Sequence, residues 1–218
     1  MNKLCHNILI ALTVIGSLTS CNATEEQDAT PSITIVMDLS TSTLGKVNNT
    51  SLQEMEFEVA NAVIDSLGDN DVYGFTVFAG QWSNVDEPSL NFTQAKNTLQ
   101  QIEALDDCVD KGYISDGSAI YSALLSASIP LRKNNSPRSI LLLTDGDDNS
   151  SNISSGFISQ WMQDHGIRVD VVSFSCKKGQ NINYPVTIGD STQYVAMEAK
   201  HDFHDLIKPK SVIRKMLV

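Results

Sequence analysis

Asp38, Ser40 and Ser42 occupy alternate positions in "IVMDLSTST", residues 35–43, where a run of apolar residues gives way to one acid and a group of hydroxyls. An ordinary turn needs one such residue. Two further pieces are of the same kind: Ser118 in "SDGSAIYSALL" and Asp145 in "LLLTDGDD". Carboxylates and hydroxyls without a neighbouring His or Cys make an all-oxygen environment, suited to Mg²⁺, Ca²⁺ or Mn²⁺. Each piece also has a plainer reading: Ser118 as a helix N-cap, Asp145-Gly146 as a turn, Asp38 as a turn-closing acid. Asp147, Asp148 and Asn149 read as solvated loop residues that tune the local field, and Asp116 is open between loop and site.

The elements that must position these residues follow from hydrophobic patterning. "SITIVM" (32–37), "VYGFTVFA" (72–79), "SILLL" (139–143), "RVDVVSFS" (168–175) and a weaker "QYVAME" (193–198) are strand-like in composition. Between them, "SLQEMEFEVANAVIDSL" places Leu52, Met55, Val59, Val63 and Leu67 on one helical face. "TQAKNTLQQIEAL", "SAIYSALLSAS" and "ISSGFISQWMQDHG" are further helices, the last closed by Gly166. Nearly continuous apolar strands separated by amphipathic helices predict an α/β fold, a doubly wound and mostly parallel sheet covered on both faces. "WSNVDEPSLNF" adds one short antiparallel edge strand, where Pro88 is tolerated. In strand order 3-2-1-4-5-6, Asp38 and Asp145 end neighbouring strands at the switch point, where such sheets bind ligands. Without a cation, two close carboxylates repel and one tends to hold its proton.

Asp38-x-Ser40-x-Ser42, the later hydroxyl of Ser118, and Asp145 in a T-D-G loop together resemble the metal-ion-dependent adhesion site of von Willebrand factor type A (VWA) domains, over about residues 32–207. The resemblance implies that Ser40 and Ser42 coordinate a divalent cation directly, Mg²⁺ first with Mn²⁺ and Ca²⁺ as alternatives. It implies that Ser118 replaces the usual threonine, losing a methyl that restrains its rotamer, and that Asp38 and Asp145 act directly or through water. It also implies the partner, a protein whose Glu or Asp carboxylate completes the metal's shell, and a role in binding rather than catalysis. Because the chain is acidic, metal occupancy would gate the approach of an acidic partner.

The 218 residues carry a formal net charge of −11; the first twenty hold only Lys3, leaving −12 for the rest. This acidity argues against nucleic acid as a partner. Residues 1–20 read as a secretory signal, with a basic start and the apolar run "ILIALTVIGSL", and Leu18-Thr19-Ser20-Cys21 resembles the bacterial lipobox. Cys21 is then the lipidated first residue of an exported bacterial lipoprotein in the cell envelope, on the periplasmic face or outer surface. Residues 21–31 form its tether, and residues 32–218 the single domain. The other reading is an ordinary cleaved signal. Export leaves Cys108 and Cys176 as a pair for which a disulfide and two independent thiols both fit.

Two further functional classes stand beside a binding module. A hydrolase laid out like the haloacid dehalogenases would need Asp-x-Asp, and Ser40 stands where the second acid belongs. A serine hydrolase lacks G-x-S-x-G and would have to recruit His165, His201 or His204; the last two, spaced i and i+3, could bind a metal on a helix but have no third ligand in view. A scaffold whose metal site is vestigial is the other alternative.

Overall fold

Ile33, Ile35 and Met37 alternate with Thr34 and Val36, and all five are buried, as expected of a strand enclosed on both faces. They belong to β1 (Ser32–Asp38), the centre of the sheet. The computed structural model describes residues 31–47, 49–67, 69–104, 115–133 and 137–175, and the backbone of 194–198. Cys21, Cys108, Cys176, His201, His204 and the signal segment lie outside the described residues, as does the side chain of Leu67.

After β1 come a 3₁₀ turn (Thr41–Leu44), a two-stranded ribbon of β2 (Lys46–Val47) and β3 (Thr50–Ser51), and α1 (Leu52–Leu67). Then follow β4 (Val72–Phe78), β5 (Trp82–Leu90), α2 (Phe92–Glu103), α3 (Ile120–Leu131), β6 (Arg138–Thr144), α4 (Ser155–Asp164), β7 (Ile167–Ser175) and β8 (Tyr194–Glu198). The main sheet runs β5-β4-β1-β6-β7-β8, which is the expected 3-2-1-4-5-6 order counted over its own six strands. All neighbouring pairs are parallel except β4 with β5. The edge strand is longer than expected, spanning nine residues. Register shifts between Tyr73 and Thr76 let it follow β4 past Pro88, an arrangement open to an edge strand.

Two cores result. On one face α1 and α2 pack Leu52, Met55, Val59, Val63, Ala95 and Leu99 against Ile33, Ile35, Tyr73 and Phe75. On the other, α3 and α4 pack Ile120, Leu124, Leu131, Ile158 and Met162 against Val36, Ile140, Leu142 and Val169. Burying such a side chain contributes about 1.5–3 kcal/mol each, so the two layers fix the sheet edge on which the polar residues stand. Gly166, at φ +58° after the last turn of α4, closes that helix as its position in the sequence suggests. Among the described residues no helix is long and apolar enough to cross a membrane.

Candidate metal centre

Asp38 closes β1 at the carboxyl edge of the sheet and is buried. Its pairing with β4 continues to Phe78, but the ladder to β6 stops at Met37 with Leu143. The N–H of Asp38 is instead taken by Glu56 Oε2 at 3.2 Å. The Asp38 carboxylate is held from two sides: Oδ1 accepts from the Ser40 N–H at 2.9 Å, and Oδ2 from Thr144 Oγ1 at 2.7 Å. Burial pushes its pKa up to about 6 despite these hydrogen bonds, and the Asp145 charge adds a smaller push. Carboxylate repulsion alone, the sequence-based expectation, is therefore the lesser cause.

From Asp38 the hydroxyls lead across to the next loop. Residues 41–44 coil into a 3₁₀ turn rather than running on extended, yet Ser40 Oγ and Ser42 Oγ still lie 2.9 Å apart. Ser42 Oγ donates to Asp145 Oδ1 at 2.9 Å. Asp145 is half-buried, and that burial raises its pKa while the Ser42 bond opposes the rise. Four of the five residues singled out in the sequence thus form one connected chain.

Ser118 reaches the same edge through its backbone. It is buried, its N–H donates to Asn149 Oδ1 at 2.8 Å, and its carbonyl accepts from the N–H groups of Asn149 and Ser150. It is not the N-cap of α3: the helix starts at Ile120 with Ala119 before it. The free N–H groups of its first turn are met from the neighbouring loop, by Asp148 Oδ2 on Tyr121 and Ser151 Oγ on Ser122. Asp148 and Asn149, expected as solvated loop residues, are therefore structural fasteners between two loops. Asp116 is a third, accepting from Thr41 Oγ1 at 2.8 Å.

Sequence reasoning also missed Glu56. It is fully buried, its Oε1 has no hydrogen-bond partner among the described residues, and burial with the Asp38 and Asp145 charges holds its pKa well above the ordinary 4.5. The signal was available: position 56 falls four residues after Leu52 and three before Val59, on the apolar face of α1.

The donor set suits a small hard cation. Neighbouring oxygens around Mg²⁺, at 2.0–2.1 Å from the ion in an octahedron, stand about 2.9 Å apart, the spacing of both Ser40 Oγ to Ser42 Oγ and Ser42 Oγ to Asp145 Oδ1. The set is rich in hydroxyls; among the described residues no group of three or more His, Cys, Asp or Glu side chains gathers as a cage.

Gly117 lets these loops close. Its φ is +93°, and a Cβ there would collide with Ser150 Oγ and approach Asn149 Oδ1 to 3.1 Å. Gly117→Ala is expected to destabilise the protein by about 1–3 kcal/mol, read from the urea midpoint; an unchanged midpoint would show that the loop relaxes freely.

A family model, that of the von Willebrand factor type A domain, matches residues 33–147. No curated protein matches the sequence. Among solved structures, an aerotolerance-related membrane protein from Bacteroides fragilis is similar at 19% identity and a TM-score of 0.60, over 86% of this chain and 100% of that one. BatB from Bacteroides thetaiotaomicron is similar at 20% identity and a TM-score of 0.61, over 86% and 98%. Manganese-loaded TRAP from Plasmodium vivax is similar at 16% identity and a TM-score of 0.56, over 88% and 74%. At these identities the likeness is one of fold.

Proposed function

Since this chain belongs to the von Willebrand factor type A domain family, we propose that it is a membrane-anchored protein-binding module, for adhesion or assembly, whose partner is held through a divalent cation. The observation that carries the reading is the connected run Asp38, Ser40, Ser42 and Asp145: the Ser40 N–H donates to Asp38 Oδ1, and the two oxygen-to-oxygen steps, Ser40 Oγ to Ser42 Oγ and Ser42 Oγ to Asp145 Oδ1, are 2.9 Å each. Ser40 and Ser42 would hold the ion directly, Ser118 would stand in the family's threonine position, and Asp38 and Asp145 would act directly or through water. Mg²⁺ is the first choice; the manganese of the Plasmodium vivax structure supports a divalent ion in this fold. A cation held largely by neutral hydroxyls keeps much of its charge and attracts a partner's Glu or Asp carboxylate.

The chain's own residues prepare that surface. Thr144 and the Ser40 N–H fix the plane of the Asp38 carboxylate, while Asp145 orients the Ser42 hydroxyl. Glu56 anchors the Asp38 backbone from below. Lipid attachment at Cys21 would keep the module in a bacterial cell envelope, a location that suits its likeness to an aerotolerance-related membrane protein. We read it as a binder and not an enzyme.

The test is a panel of peptides bearing Glu, each beside its Gln counterpart, titrated against the protein in Mg²⁺ and in EDTA. Glu-specific binding that falls at least ten-fold in EDTA is expected. Equal affinity with and without metal would sink the reading.

A further inference from the structure

We infer that the corner opposite the candidate metal centre, where α3 ends, α4 ends and β6 begins, rests on an anionic phospholipid surface and so points the metal edge away from the membrane. The inference rests on the proposed lipid anchor at Cys21.

The first argument is where the tether joins the fold. The Ser32 N–H donates to the Pro137 carbonyl at 2.9 Å, and the Val72 N–H to the Pro31 carbonyl at 3.0 Å. Residue 31 therefore sits at the amino ends of β1, β4 and β6, next to Arg138, while Asp38 and Asp145 stand at the carboxyl ends. Residues 22–31, ten in all, reach about 35 Å when fully extended. A seven-residue strand rises about 23 Å, so with the metal edge against the lipid the tether would be stretched over most of its length. With the opposite corner down it is slack.

The second argument is the chemistry of that corner. The described residues contain six Lys and Arg (Lys46, Lys96, Arg132, Lys133, Arg138, Arg168), and the last four lie at this end. The Arg132 guanidinium stacks 4.9 Å from the Trp161 ring centroid, and the His165 ring lies 4.2 Å from the same ring. Trp161 Nε1 donates to Ser128 Oγ at 2.8 Å, which fixes the indole between the two helices. Arg138 reaches to Gly166 at the end of α4, and Ile129 of α3 is 44% exposed. Arg168 is committed to Asp170, Lys133 lies 3.7 Å from Glu87, and Asp164 accepts from Gln160. Among the described residues at this corner, Arg132 and Arg138 are thus the two cations outside an ion pair, on a chain of net charge −11. Indole and guanidinium side by side suit the headgroup layer, where tryptophan concentrates and cations meet anionic lipid.

The sequence contains two tryptophans, Trp82 and Trp161. Trp82 begins β5 opposite Phe78, at the carboxyl edge, so the pair reports orientation. Mature protein is reconstituted in phosphatidylglycerol vesicles carrying bromine high on the acyl chain, as Trp82→Phe and as Trp161→Phe, each checked by thermal melting. Trp161 fluorescence is expected to be quenched severalfold more than that of Trp82, less so in phosphatidylcholine alone. Arg132→Gln with Arg138→Gln is expected to lower vesicle affinity of protein lacking the lipid about twenty-five-fold, five-fold per charge. Equal quenching of the two tryptophans, greater quenching of Trp82, or shielding of Trp161 only when another protein is supplied overturns the inference. Intact mass reports the lipid on Cys21 separately, and metal-dependent melting reports the cation site, so failure of either reading is told apart from failure of this one.

Discussion

Mg²⁺ at a hundred times its dissociation constant is expected to raise the melting temperature of metal-free protein by about 5–10 °C. The stabilisation at that ratio is about 2.7 kcal/mol, and a domain of this size gains roughly 2–4 °C per kcal/mol. Asp38→Ala and Asp145→Ala are both expected to abolish the rise. The readout is the difference with and without metal, because Asp38→Ala changes the metal-free protein as well: it frees the Ser40 N–H and Thr144 Oγ1 while removing a buried acid. A shift that survives in both variants, or absence of both shift and binding heat in the parent, would remove the metal from the account.

The second large effect is on pH dependence. In the metal-free fold Asp38 keeps its proton to about pH 6, against 3.8 for an ordinary aspartate. Between those values the folded state binds more protons than the unfolded one, so stability falls as pH rises, by about 3 kcal/mol from Asp38 alone. Below pH 4 this penalty is absent; above pH 6 it is complete. Glu56, held well above its ordinary value of 4.5 by burial and by the Asp38 and Asp145 charges, adds to the decline. Glu56→Gln keeps an oxygen for the Asp38 N–H and removes the charge, so it is expected to make the decline shallower and stabilise the protein at neutral pH. Glu56→Ala leaves that N–H buried and unpaired with a cavity beside it, and is expected to destabilise by about 3 kcal/mol. Urea midpoints from pH 4 to 8 check all three; an undiminished slope in Glu56→Gln would show that Glu56 does not titrate in that range.

The strand order was legible because each parallel strand is an apolar run of its own, and because Asp38 and Asp145 follow such runs directly. The helix faces were legible for the same reason: Leu52, Met55, Val59 and Val63 recur at helical spacing and all are buried. What escaped were polar residues whose role is set by a distant segment. Nothing within "TDGDDNS" states that Asp148 will cap a helix 27 residues earlier or that Asn149 will hold Ser118 from 31 residues away. Glu56 was hidden by habit, since a helix rich in Glu reads as solvated unless each acid is placed on its face. Pro88 was read as compatible with an edge strand, but nothing within "WSNVDEPSLNF" marks how far that strand runs beside β4.

The candidate metal centre joins segments far apart in the chain: Ser42 meets Asp145 across 103 residues, and Thr144 meets Asp38 across 106. Parallel pairing of this kind closes slowly, because the entropy of a long loop must be overcome before any contact repays it. No early folding intermediate lacking the β1–β6 pairing can present the complete set of oxygens. Cation capture would then serve as a clock for folding, marking the moment at which β1 and β6 have paired.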